Sequence, residues 1–336
     1  MSTGAKLQIS HESWPIAGGF RIARGAKTHA DVLVATLTDD NGLHGRGECV
    51  PYARYGESIP NVTAQINAMS AAINDGLTCE QLQSALPAGA ARNALDCAMW
   101  DLHSQQTRQP VWALAGVSSP DAVTTAFTVS LGTPDAMATA AAFVPQRPVL
   151  KIKLAGDTAD KLRVLAIANA RPDAGLILDG NEGFSLASLQ ALIEPLQKLR
   201  ILAIEQPLPA GDDEALRGLH TPFALCADES LHTSDDLPRI STLYDMINVK
   251  LDKTGGLTHA LALVNQAQKL NLQIMVGCMV ATSLSMAPAL LVANHAALVD
   301  LDGPLLLERD RNDGLLYDEA VIPSQSSPLW GYPRRR

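Results

Sequence analysis

Eight short apolar runs follow one another beyond residue 120: VTTAFTVSLG, PVLKIKL, GLILDGN, ILAIEQPL, FALCADES, MINVKLDK, LQIMVGCM and LVDLDG. Most are separated by Ala- and Leu-rich stretches long enough for a helix. Strands that are apolar throughout, without alternation, are what a parallel sheet covered on both faces requires. Eight such strand-then-helix units in a row predict a parallel α/β barrel. Lys153 to Asp179 and Asp179 to Glu205 are each 26 positions, Glu205 to Asp228 is 23 and Asp228 to Lys250 is 22. One ionisable residue therefore falls at or near the C-terminal end of each of these strands. In a barrel those ends converge on a single mouth, where the active sites of the fold lie.

The first part of the chain has a different rhythm. KLQISHESWPI and ADVLVATLTDDNGLHGRGEC alternate apolar and polar residues, and DDNG between runs is a hairpin signal. From about 61 to 108 the pattern turns helical, with Leu95, Ala98, Met99 and Leu102 at helix spacing. The Gly/Ser/Pro cluster in LAGVSSPDAV places a boundary near 119. The expected organisation is a small α+β domain over 1–119 and a barrel over 120–310.

Composition narrows the class of function. The net charge of -9 is spread along the chain without a basic stripe, so the electrostatic footprint of nucleic-acid binding is missing. The cysteines, Cys49, Cys79, Cys97, Cys226 and Cys278, are odd in number and form no CxxC pair, which disfavours a disulfide framework or a zinc site. No basic segment leads into an apolar one at the N-terminus, and no long uncharged apolar span occurs. The expectation is a soluble cytoplasmic protein acting on a small molecule, without membrane or nucleic-acid partners, and open to homo-oligomerisation.

Three carboxylates gathered at one mouth repel each other unless a cation neutralises them. A hard divalent ion with all-oxygen ligation, Mg2+ in particular, fits Asp179, Glu205 and Asp228. The same residues would also suit helix N-caps at strand-to-helix turns. Lys151 and Lys153 share one face of their strand, and Lys250 lies on the opposite wall. A lysine acts as a base near neutral pH only when its pKa is lowered, and a neighbouring ammonium or metal ion does this. Removing a proton next to a carboxylate creates an enediolate that needs strong electrostatic stabilisation. Bases on two faces of the carbon would invert its configuration.

The ordered set KIK, LDGNEGF, IEQPL, ADES and NVKLDKTGG resembles the enolase superfamily, muconate lactonising subgroup, for which lysine bases with Mg2+ are a known theme. The resemblance covers nearly the whole chain. It implies a modified (β/α)7β barrel with an α+β capping domain, and a C-terminal segment, 311–336, that returns to the capping domain. Carried over by position, it implies Asp179, Glu205 and Asp228 as Mg2+ ligands, Lys153 and Lys250 as the acid/base pair, and Lys151 as the carboxylate-stabilising lysine. Gly180, where many members have alanine, is expected to loosen the strand end without impairing ligation.

For the substrate, Asp300 and Asp302 in LVDLDGP form a D-x-D pair that resembles the dipeptide epimerases of the family, where it holds a free amino terminus. Turn-forming aspartates before GP are the plainer alternative. Arg24 in RIARGAKTHADV and the segment GECVPYARYGES resemble the Ala-Glu group, in which the arginine would pair with the glutamate side chain. Thr128 and Cys278 match positions that line the dipeptide, although by composition alone both read as core. The implied activity is Mg2+-dependent epimerisation of an L-Ala-D/L-Glu dipeptide at the glutamate α-carbon, in recycling of cell-wall peptide. Alternatives are N-succinylamino acid racemisation, o-succinylbenzoate synthesis or cycloisomerisation in the same subgroup, a Schiff-base aldolase, and a barrel that only binds a metabolite.

Overall fold

The computed structural model describes residues 4–324 and 328–334. Three antiparallel strands open the chain: β1 (Ala5–Ile22), β2 (Gly25–Asp39) and β3 (His44–Cys49). The β1–β2 hairpin extends past an irregularity between Pro15 and Phe20 to a turn of Ala23 and Arg24, with Ile22 facing Gly25. One side of this sheet carries the helix Ala90–Thr107. It packs closest on β3, where a Cβ on Gly47 would stand 2.1 Å from the Ala94 carbonyl oxygen, so only glycine admits the helix this near.

A short β4 (Val123–Thr124) precedes the barrel strands: β5 (Phe127–Val129), β6 (Val149–Lys153), β7 (Gly175–Asp179), β8 (Ile201–Glu205), β9 (Ala224–Ala227), β10 (Met246–Val249), β11 (Gln273–Gly277) and β12 (Leu298–Asp300). They lie side by side in sequence order, parallel throughout. The seam between β12 and β5 is closed by Ala126 N–H donating to Val299 O at 2.8 Å and Leu301 N–H to Thr125 Oγ1 at 2.9 Å. All eight runs read from the sequence are strands of this sheet. The helical connections are less regular than expected: only a 3-10 turn, Asp213–Leu216, separates β8 from β9, and a 3-10 turn, Ser234–Asp236, running into the four-residue helix Leu237–Ile240 separates β9 from β10. A final strand, β13 (Val321–Ile322), pairs with β4.

Period-2 geometry explains how the mouth is built. Ile177, Ala203, Cys226 and Met246 pack together inside the barrel. Two positions beyond each of them, and so on the same face of the strand path, stand Asp179, Glu205, Asp228 and Asn248. The intervening residues Leu178, Ile204, Ala227 and Ile247 belong to the larger core that includes the outer helices. An apolar plug thus lies beneath a polar ring.

Gly180 does not loosen its strand end. Its N–H donates to Glu205 O at 2.9 Å, and a Cβ there would press within about 3 Å of Pro207 Cα, Gln206 O and the Phe184 ring. The missing side chain brings the turns after β7 and β8 together.

Candidate active site

The barrel mouth opens into a cavity of about 380 Å³, roofed by the β1–β2 hairpin through Phe20, Ile22 and Arg24 and by Tyr52, Arg54 and Tyr55 of the segment after β3. Every candidate ligand, acid–base or substrate-binding residue read from the sequence lines this cavity except Asp179 and Glu205, which lie fully buried beside the lysines. None of the three ring carboxylates caps a helix; Ser185 and Thr233 supply side-chain caps after β7 and β9.

Lys151 and Lys153 leave β6 on the same interior face. Lys151 Nζ lies 2.8 Å from Asp300 Oδ2, 2.8 Å from Glu205 Oε2 and 3.3 Å from Asp179 Oδ2. Lys153 Nζ donates to Asp179 Oδ2 at 2.5 Å, with the Phe20 ring centroid 5.7 Å away. On the far wall Lys250 Nζ donates to Asp228 Oδ2 at 2.6 Å. Burial alone would pull Lys151 and Lys250 down, but Asp300, Glu205 and Asp179 hold Lys151, and Asp228 holds Lys250, well above the ordinary lysine range. The ammonium of Lys151 is therefore directed to carboxylates, and Lys250 is not lowered in this arrangement.

The carboxylates respond unequally. Burial raises Asp179, but Lys153 and Lys151 bring it down to about 2. Burial and the charge of Asp179 push Glu205 up to about 7 despite Lys151. Glu205 Oε1 accepts from Lys151 and from Asn248 Nδ2 at 2.8 Å, whereas Oε2 accepts no well-aligned hydrogen bond. Among the described residues, no three His, Cys, Asp or Glu side chains stand close enough to hold a metal ion as they are placed; lysines occupy the space between them. The donor set itself, three buried carboxylates, is hard and anionic and suits a divalent cation that would take these oxygens over from the lysines.

At one end of the cavity Asp300 Oδ1 is buried without a hydrogen-bond donor, and Asp302 Oδ2 accepts the Thr128 N–H at 2.6 Å. Burial and the neighbouring Asp300 charge push Asp302 up to about 7. Two close carboxylates with a free oxygen accommodate a cationic group. The Cys278 thiol beside them is pushed far up by burial and stays neutral. At the other end Arg24 donates to Asn181 O at 2.8 Å, Glu182 Oε2 at 3.2 Å, Tyr52 OH at 3.2 Å and Glu229 Oε1 at 2.6 Å. Arg54 grips Glu182 with two hydrogen bonds of 2.7 Å. Glu229, Asn181, Tyr52 and Tyr55 are not singled out by the sequence, although they lie within ADES, NEGF and PYARYG; Glu229 and Asn181 stand one and two positions past Asp228 and Asp179, which is a signal for them, whereas Tyr52 and Tyr55 carry none beyond the segment they share.

Two family models match the chain: the mandelate racemase / muconate lactonizing enzyme N-terminal domain over residues 5–116 and the enolase C-terminal domain-like family over 136–322. An L-Ala-D/L-Glu epimerase of Escherichia coli (strain K12) is 44% identical over 313 residues, 93% of this chain and 97% of that protein. An N-acetyl-D-glutamate racemase of a Pseudoalteromonas species is 45% identical over 302 residues, 89% of this chain and 95% of that one. A crystal structure of an Agrobacterium tumefaciens enolase family member with homology to dipeptide epimerases, with bound sodium and L-Ala-L-Glu and an ordered loop, superposes with a TM-score of 0.94 at 46% identity, covering 97% of this chain and 100% of that chain. A dipeptide epimerase from Enterococcus faecalis V583, complexed with Mg and L-Leu-L-Tyr, does so with a TM-score of 0.90 at 27% identity, covering 98% and 99%. No helix among the described residues is long and apolar enough to cross a membrane. With both halves of the family's domain pair present in order, and relatives that are epimerases and racemases, the chain belongs to the mandelate racemase / muconate lactonizing enzyme family of the enolase superfamily and is an isomerase.

Proposed function

We propose that this isomerase inverts the glutamate α-carbon of an L-Ala-D/L-Glu dipeptide by proton transfer between two lysines, with Mg2+ as cofactor. The observation that carries the reading is the placement of Lys153 and Lys250 on opposite walls of one cavity, each against a carboxylate at a strand end. A group between them has one lysine on either side: the one in its neutral amine form takes the α-proton from one face, becoming an ammonium, and the ammonium opposite gives a proton to the other face, becoming an amine. Asp179, Glu205 and Asp228 would hold the metal, which when bound supplies positive charge to the substrate carboxylate as the α-proton leaves. Lys151, held charged by its three carboxylates, adds to that field from the protein side.

The two ends of the cavity set the substrate. Asp300 and Asp302 bind the free ammonium of the alanine, with Thr128 fixing Asp302, while Arg24 takes the distal carboxylate of the glutamate and Cys278 fills the wall between. Such a dipeptide is a component of cell-wall peptide, and its recycling is the setting we assign. Incubation with Mg2+ and L-Ala-L-Glu in deuterated water should place deuterium at the glutamate α-position and yield both epimers; complete retention of protium refutes the reading.

A second reading is favoured by the N-acetyl-D-glutamate racemase relative. That compound keeps the glutamate carboxylates but has no ammonium. Parallel exchange assays on L-Ala-L-Glu and N-acetylglutamate separate the two, because a cationic N-terminus offers charge to the Asp300 and Asp302 carboxylates and an acetyl group does not.

A further inference from the structure

The carboxylate of Asp228 is shared between two lysines. Lys250 Nζ meets Oδ2 at 2.6 Å, whereas Lys253 Nζ meets Oδ1 at 2.5 Å and also donates to Asp228 O at 2.5 Å and Asn248 O at 3.1 Å. An ammonium has three N–H donors, and those of Lys253 are all taken by protein oxygens. Its side chain has no exposure and does not line the cavity, whereas Lys250 does. Lys253 therefore cannot touch a ligand, although it stands three positions from a residue that does. The opposite wall has a related arrangement, in which Asp179 Oδ2 faces both Lys151 and Lys153. There the second lysine comes at strand spacing. Here the chain turns from β10 through Lys250 into the short helix Leu251–Thr254, and that turn carries Lys253 behind Asp228.

We infer that Lys253 is a positioning residue for the Lys250 side of the reaction: it turns Oδ1 of Asp228 into the protein, presents Oδ2 alone to the cavity, and ties the end of β9 to β10. This rests on the two-lysine reading above. Without Lys253 both oxygens of Asp228 are free to close on Lys250, its remaining ammonium partner, and that face of the cavity loses its geometry. The Lys153 face, built on Asp179, is untouched. Replacing Asp228 would leave the buried Lys253 ammonium without its carboxylate, so the loss should register in stability as coupling between the two residues.

The test uses Lys253→Met, with Lys253→Gln, which keeps two donors, as the variant to use should the first not fold. With Mg2+ present, α-deuterium incorporation is followed separately from each epimer of Ala-Glu. Exchange from one epimer should fall by about 100-fold relative to the other, within the range a positioned acid–base group contributes. Thermal unfolding of metal-free wild type, Lys253→Met, Asp228→Asn and the double variant should show a smaller cost of Asp228→Asn when Lys253 is absent. Equal losses from both epimers, unchanged exchange from both, or additive stability effects would each overturn the inference. Absence of exchange in the wild type would instead sink the proposed reaction and leave the coupling measurement to judge Lys253.

Discussion

Arg24 Nη2 and Glu229 Oε1 lie 2.6 Å apart, joining the tip of the β1–β2 hairpin to the residue immediately after Asp228 at the barrel mouth. Burial disfavours the Arg24 charge, but Glu229 and Tyr52 more than compensate, and the guanidinium stays firmly protonated. A ligand carboxylate that reaches Arg24 meets a cation already engaged by protein acceptors and must share or displace Glu229.

Arg24→Met should therefore act selectively. Hydrogen bonds to charged groups contribute about 1.5–3 kcal/mol, so kcat/KM on Ala-Glu should drop roughly 10- to 150-fold, while a dipeptide with an uncharged second side chain changes little. Kinetics on both substrates decide it. Equal losses would make Arg24 a latch for the hairpin and nothing more.

At the other end, Asp302→Asn keeps an acceptor for the Thr128 N–H and removes a charge. We expect kcat/KM for the free-amine dipeptide to fall by about tenfold or more, mainly through KM, with exchange of N-acetylglutamate unaffected. An identical response of the two substrates would remove the ammonium from the assignment.

Metal dependence is open to measurement both through exchange and through stability. EDTA should stop α-proton exchange, and Mg2+ at about 100 times its Kd should stabilise the fold by about 2.7 kcal/mol, read as a rise in the unfolding midpoint. Asp179→Asn or Asp228→Asn should abolish that rise. A midpoint indifferent to Mg2+ in the wild type would contradict the donor set proposed for it.

A pH effect on stability resides away from the cavity. Asp252 is buried, accepts from Val50 N–H at 3.0 Å and Asn93 Nδ2 at 2.8 Å, and is pushed up to about 7 chiefly by burial. Between about pH 4 and pH 7 the unfolded chain has released this proton and the folded chain retains it. Stability is thus lost as pH rises through that window, by an amount on the order of 4 kcal/mol at most. Asp252→Asn retains the acceptor and cannot ionise, so urea midpoints across this range should vary less with pH than those of the wild type. Matching slopes would count against the assignment.

The barrel and its ring of ionisable groups were legible because both obey chain-local rules: apolar runs mark the strands, and period 2 puts Asp179, Glu205 and Asp228 on the same face as Ile177, Ala203 and Cys226. Partnership was not legible. Spacing and resemblance single out Lys250 in KLDK, but nothing in that run shows that Lys253 is sealed behind Asp228, because its place arises from a one-turn helix beginning between the two. Gly180 looked like a weak point when read against its own strand and is a contact point when read against Pro207 and Phe184 on the neighbouring turns. The pairing of Arg24 with Glu229 likewise depends on loops separated by 205 positions.

The seam of the barrel has a consequence for how such an enzyme can change. Asp302 accepts the Thr128 N–H across the junction that Ala126 and Val299 close. The side chain proposed to choose the substrate's amino terminus is thus also a clasp of the scaffold. A lineage that traded Asp302 for an apolar residue, to accept an acylated nitrogen, would leave a buried amide without an acceptor and would first need another oxygen there. Arg24 sits in a two-residue hairpin turn outside the seam, but its loss would strip the buried Glu229 carboxylate of its cation, so preference for the distal side chain can change only together with Glu229.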